Sequence, residues 1–491
     1  MSLGDAPETI RMLAGRAQRR MDDVTRRRAA AAAAGALLAL ATGCSAGRPA
    51  TRPTTPAVSS PVTPSAVPGG SALSPADSGS DWPTYHRDNA RTGAAPDVPA
   101  AGQLTPAWST QLDGAVYAQP LVVGGRVIVA SESNTVAALD AGSGKELWHT
   151  TLGPPVPLSL LPCGNINPLG ITGTPAYDAA SGLVFAVTET RPDFAHTLVG
   201  LEVATGAVKV RRVIDPAGSA PKFQQERAAL AVSNEMVYVA LGGLFGDCGD
   251  YHGYVVGSRT DGTGPLAVYQ VPTKEAGIWA PPGPAIDSSG DLYVAAGNGA
   301  ATSGAYDGSD SVIRLSPALR QADFFAPRNW AQENSRDADL GSTGPTLLPG
   351  GLVFQAGKTA TSYLLRADHL GGIGGQAGSA EVCRGFGGTA VQGSTVFVPC
   401  SDGVRSVTVT ADALAVGWHA PANFNGSPVV GGGLVWVLDA RAGDLAGLDA
   451  ATGAVRTTSH VGPVTRFASP TLSGNRIFVP TMGGVVALAT S

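Results

Sequence analysis

Apolar and polar positions along this chain alternate in short bursts, and the bursts fall into groups that repeat. Each group opens on a small or aliphatic residue or a Pro, runs through β-branched or aliphatic residues, turns, and resumes apolar. The openings are Pro120, Pro175, Leu230, Pro284, Pro345, Thr389, Pro428 and Pro470, spaced 39 to 61 residues apart. Such runs predict strands, and no stretch between them sustains the period of a long helix. Gly124-Gly125, Ser233-Asn234 and Gly474-Asn475 sit where the first run of a group ends. These residues accept positive φ cheaply, so each predicts a hairpin.

A third run in each group ends in an acidic residue followed by a Gly-bearing turn. Its clearest forms are Asp140 before Gly144, Glu202 before Gly206 and Asp449 before Gly453. The carboxylate can accept from backbone N–H groups two or three residues on and so lock the turn into a fourth strand. Four antiparallel strands at a repeat of this length make a propeller blade. The expected fold is therefore all-β, an eight-bladed β-propeller over residues 81–491. The last group reaches Ser491 with three strands only. The stretch from Leu104 to Leu112, before the first opening, supplies the fourth and closes the ring, leaving no open edge.

The first 80 residues are of another kind. Arg26-Arg27-Arg28 precedes an apolar run from Ala29 to Ala41, then Thr42-Gly43-Cys44. That order describes a cleaved export signal over residues 1–43, its apolar run too short to span a bilayer. Leu40-Ala-Thr-Gly-Cys44 resembles a bacterial lipobox, in which Cys44 is lipidated and anchors the protein to the membrane. An ordinary secreted protein with a free thiol is the other reading. Residues 44–80 are Pro, Ser, Thr, Ala and Gly with few bulky apolar groups, which predicts a disordered tether. The expected location is extracytoplasmic, at the cell membrane.

Losing residues 1–43 moves the net charge from −5 to −8, because seven Arg and four acidic residues leave with them. With no basic stripe in the remainder, nucleic acid is excluded as a partner, and the chain reads as a monomer. Cys163, Cys248, Cys383 and Cys400 remain, an even set that predicts disulfides in an exported protein. In a blade, the loop leading into the first strand and the loop joining the second to the third share one face. Cys383 and Cys400 then meet within the sixth blade, and Cys163 and Cys248 meet between the second and third. No Cys-x-x-Cys-His occurs, which rules out covalent c-type haem.

That face also carries the long loops, at residues 153–170, 242–253, 297–310 and 371–384, while the other carries minimal turns. Long loops cost chain entropy and usually serve binding, so a small-molecule or protein ligand is expected there. The candidate residues are Glu189 and Arg191, Trp279, Asn298, Asp310, Lys358, and Asp439 with Arg441, all at strand ends or in loops of this face. No Ser-His-Asp order, metal-binding His pair or phosphate loop stands out.

Ala138-x-Asp140-x-x-x-Gly144-Lys145-Glu146-x-Trp148 matches the Trp-docking motif of the pyrroloquinoline-quinone-type (PQQ-like) β-propeller superfamily, which the repeats resemble across residues 81–491. Asp81-Trp82-Pro83, Arg87 and Thr92-Gly93 resemble the segment that precedes such propellers. In the second and seventh repeats Val210 and Thr457 replace the Trp. One branch of the superfamily comprises quinoprotein alcohol dehydrogenases, which hold PQQ over a calcium ion. The resemblance implies Glu189, Asn298 and Asp310 as calcium ligands, Asp310 beside the substrate as the catalytic residue, and Arg191, Trp279, Lys358, Asp439 and Arg441 around the cofactor. Against that branch stand a missing adjacent-cysteine pair, fewer loop insertions and a single complete docking motif. The other branch comprises envelope lipoproteins that bind partners as scaffolds without the quinone. The lipobox and tether favour it, so whether the chain is an enzyme stays open at this point.

Overall fold

The first three strands of each repeat are apolar on both faces and need cover on two sides, whereas the fourth alternates. In the first repeat, Leu121–Val123, Arg126–Ser131 and Thr135–Asp140 are almost wholly buried, and Glu146–Thr151 alternates exposed with half-buried. The computed structural model describes residues 81–491 and meets this demand with eight antiparallel four-stranded sheets, each packed between two others. Later blades begin at Ala176–Asp178, Ala231–Ser233, Ala285–Ile286, Thr346–Leu348, Ala390–Gln392, Val429–Gly431 and Thr471–Ser473. The α-helix among the described residues is the five-residue Trp330–Asn334. The eight-bladed all-β expectation is met.

Closure follows the expected route. Leu104–Gln111 pairs antiparallel with Gly484–Thr490 and completes the eighth blade. Trp108 on this strand donates from Nε1 to Ala141 O of the first blade at 3.1 Å. Its ring covers Gly144, where a Cβ would sit 2.5 Å away. Trp148 repeats the contact on Val203 O and Gly206 of the second blade, and Trp418 on Ala450 O and Gly453 of the seventh. Two of these docks, Trp108 and Trp418, fall outside the complete sequence motif. Val210 fills the same role with less surface, lying against Gly262 of the third blade.

Residues 81–95 do more than precede the ring. Trp82 exchanges backbone hydrogen bonds with Val122, and carbonyls of Pro83, Asn89, Ala90, Thr92 and Gly93 accept from Tyr177, Ile286, Leu347, Val391 and Val430 in turn. Asn89 also donates to Val232 O. The segment thus touches the innermost strands of blades 1 to 7 in order and places Tyr85, His86 and Arg91, all buried, inside the ring. His86 is bonded to Gln119, Thr389 O and Ser469, and burial lowers its pKa to about 3, so it is a neutral plug.

Both disulfides form as expected, Cys163–Cys248 with Cα atoms 6.2 Å apart and Cys383–Cys400 at 5.6 Å. One feature differs from expectation: residues 371–384 are not a loop. Gly372–Ile373 pairs with Gln321–Ala326, and Gly378–Glu381 is the outer strand of the fifth blade. A half-exposed outer strand of Gly, Ser and Ala carries no apolar alternation to reveal it. The export signal, Cys44 and the tether of residues 44–80 lie outside the described residues.

Candidate functional site

Loops that lead into first strands and loops that join second to third strands crowd one mouth of the ring. Between the fourth and fifth blades they bring together Trp279, Asn298, Asp339 and Lys358. Asp339 accepts from the Asn298 N–H at 2.8 Å through Oδ1, and Lys358 Nζ lies 2.7 Å from its Oδ2. Lys358 also pairs with Asp337 at 2.6 Å. Burial works against the Lys358 ammonium, but the two aspartates outweigh it and keep the group charged above its ordinary range. Its Nζ lies 5.9 Å from the centre of the Trp279 ring. Trp279 in turn meets Phe467 of the eighth blade edge-on at 6.3 Å, and the Arg227 guanidinium lies 5.8 Å from the Phe467 ring. A belt of cation, ring, ring and cation therefore crosses the mouth.

Beside that belt is a chamber of about 370 Å³ lined by Tyr117, Thr174, Arg227, Arg466 and Phe467, with Tyr85 of the N-terminal segment contributing to its wall. Because Tyr85 is itself buried inside the ring, the segment that bonds the innermost strands also bounds the chamber.

Behind Arg227 lies a buried network from the first three blades. His196 bonds Asp215 at 2.7 Å and faces Glu189 at 3.5 Å. Burial opposes its charge, but the two carboxylates prevail and raise it to about 10. Burial pushes Glu132 up to about 8 against hydrogen bonds from Gly170 N–H and Thr172 hydroxyl, and pushes Glu226 well above the ordinary range. Protonated Glu132 belongs to the folded state. Its contribution is complete below about 4.5 and is lost as pH rises through about 8. Glu132→Gln should flatten the fall of stability across that window by up to roughly 1.4 kcal/mol per pH unit. Denaturant midpoints taken in a pH series check this, and an unaltered slope would mean that Glu132 is solvated.

The candidate residues divide between these regions. Asn298, Trp279 and Lys358 converge. Asp310 lies nearby but is buried, accepting from Leu340 N–H at 2.8 Å, and burial with neighbouring acids raises its pKa to about 9. Glu189 is in the His196 network of the second blade. Asp439 ties off its own turn through Arg441 and Ala442 N–H and accepts from Asn423, while Arg191 and Arg441 are exposed. Asp310 N–H donates to Gly297 O at 2.9 Å, so Asp310 and Asn298 adjoin, whereas Glu189 bonds into the His196 network of the second blade. Among the described residues, no group of three or more His, Cys, Asp or Glu is arranged to hold a metal ion. Sequence reading missed Asp339, Arg227, Phe467, His196 and Glu226. The only signal was their position in loops leading to blades or at strand ends.

Residues 101–246 match the family model described as outer membrane protein assembly factor BamB. Over that stretch the chain is similar to this family, and its fold is an eight-bladed β-propeller. No curated protein matches it by sequence. Among solved structures this propeller resembles the quinohemoprotein alcohol dehydrogenase from Comamonas testosteroni, at TM-score 0.65 and 16% identity, covering 84% of this chain and 80% of that one. It resembles a europium-containing methanol dehydrogenase at TM-score 0.66 and 14% identity, covering 84% and 98%. BamB from Moraxella catarrhalis follows at TM-score 0.56 and 16% identity, covering 79% and 100%. At these identities the likeness establishes the propeller fold, which serves both kinds of protein.

Proposed function

We propose that this PQQ-like propeller is a binding module, exported and held at the membrane by a lipid on Cys44, that takes a ligand or partner at its long-loop mouth without catalysis of its own. The observation that carries this reading is that Glu189 and Asp310, two of the implied calcium ligands, each hold a partner within the protein. Glu189 is held by His196 in the second blade, Asp310 is turned onto Leu340 N–H, and Asn298 serves Asp339 through its backbone. The two disulfides fit an export route. The second reading, a quinone- and calcium-dependent dehydrogenase of alcohols or sugars, draws support from Asn298, Asp339 and Lys358 gathering beside Trp279. In that case Lys358 and Trp279 would meet the cofactor, which would supply the two-electron oxidation.

Adding PQQ and calcium to the purified protein separates the two. A ligand at 100 times its dissociation constant stabilises by about 2.7 kcal/mol. The binding-module reading expects no bound-quinone absorbance and an unchanged melting temperature. A calcium-dependent rise with dye reduction by alcohols would replace it with the dehydrogenase.

A further inference from the structure

The chamber beside the belt has a charge that the protein does not neutralise by contact. Among the described residues, Arg227 makes one side-chain hydrogen bond, to Gln225 Oε1 at 3.2 Å, and has no carboxylate within ion-pair distance. Arg466 lines the same chamber, has no ion pair among the described residues and lies 4.0 Å from the centre of the Phe386 ring. Two guanidiniums resting on aromatic rings are oriented but not paired. A guanidinium presents a planar fork that matches a carboxylate or phosphate through two parallel N–H groups. The remaining chamber wall adds a hydroxyl from Thr174 and rings from Tyr117 and Phe467. A space of about 370 Å³ suits a small organic molecule.

We propose, resting on the binding-module reading, that the chamber holds a small organic oxyanion, its carboxylate or phosphate on Arg227 and its apolar part against Phe467 and Tyr117. The network behind Arg227 supports this. Glu132 is the acid that acts on Arg227 and is itself acted on by Glu189 and Glu226, with Asp215 and His196 further in and Tyr117 at the wall. Burial raises Glu132 to about 8 and Glu226 well above its ordinary range, which weakens their hold on Arg227, and Asp215 is paired with His196. The guanidinium charge is therefore left for a ligand. Above about pH 8 Glu132 ionises and competes for that charge.

The test is calorimetric titration of the purified protein with benzoate, phenyl phosphate and, as a cationic control, benzamidine. Benzoate or phenyl phosphate should bind in the millimolar range or tighter and benzamidine should not, and the preferred anion tells carboxylate from phosphate. Arg227→Gln should weaken the anion at least tenfold while Arg227→Lys retains part of the affinity, and wild-type affinity should fall as pH rises through about 8. Circular dichroism and the melting curve of Arg227→Gln show whether the variant is folded. Equal binding of benzamidine, unchanged binding by folded Arg227→Gln, or no binding of either anion would overturn the proposal. Loss of anion binding without calcium-dependent quinone binding removes the oxyanion and leaves the broader reading standing. Anion binding together with quinone bound only in the presence of calcium does the reverse.

Discussion

A chain that begins at residue 113 will yield insoluble or rapidly proteolysed protein. Two contributions are lost together. The first is the strand Leu104–Gln111, without which the eighth blade keeps three strands and an open edge beside the first blade. The second is the segment from Trp82 to Gly93, which bonds the innermost strands of blades 1 to 7. At about 1 kcal/mol net per hydrogen bond, and several more for burying Trp82, Tyr85 and Arg91, the loss is on the order of 10 kcal/mol. Domain stabilities are about 5–15 kcal/mol, so little would remain. Trp108→Ala is the milder probe, costing a few kcal/mol by removing one dock. If the truncated chain melts like the full propeller, the ring is closed some other way.

Loss of the Cys163–Cys248 bridge should have the next largest effect. It closes 85 residues and joins loops of the second and third blades, for which the chain-entropy model gives about 4 to 5 kcal/mol at most. Cys383–Cys400 closes 17 residues, about 3 kcal/mol by the same reasoning. Access separates them further. Cys383 and Cys400 are buried in the core between the fifth and sixth blades, whereas Cys163 and Cys248 are only partly covered. Mild reduction of the native protein followed by alkylation should label residues 163 and 248 and lower the melting temperature. Labels on 383 and 400 should appear only after unfolding. Simultaneous labelling of all four would contradict the burial described.

Ring, closure and disulfides were legible because each rests on a local pattern that repeats. A Pro opening, a Gly turn and an acidic stop recur in every strong copy, and the cysteine pairing follows once faces are assigned. The N-terminal segment was legible only as a familiar prelude. Tyr85, His86 and Arg91 have no periodicity, and their partners lie up to 383 residues away. Asp339 and Arg227 were hidden for a similar reason. Each is one acid or base in a loop, and only closure of the ring sets Asp339 against Lys358 and Arg227 against Phe467. Asp439 shows the converse, a candidate by position whose carboxylate is consumed by its own turn.

The central claim is that the N-terminal segment and the long loops together make the mouth a bounded binding chamber. A crystal structure of the protein soaked in benzoate tests it most directly. The account predicts the carboxylate on Arg227, with the ring between Phe467 and Tyr117 and Tyr85 at the chamber wall. Benzoate that binds in solution but is found in the crystal away from Arg227, or on the minimal-turn face, would contradict it.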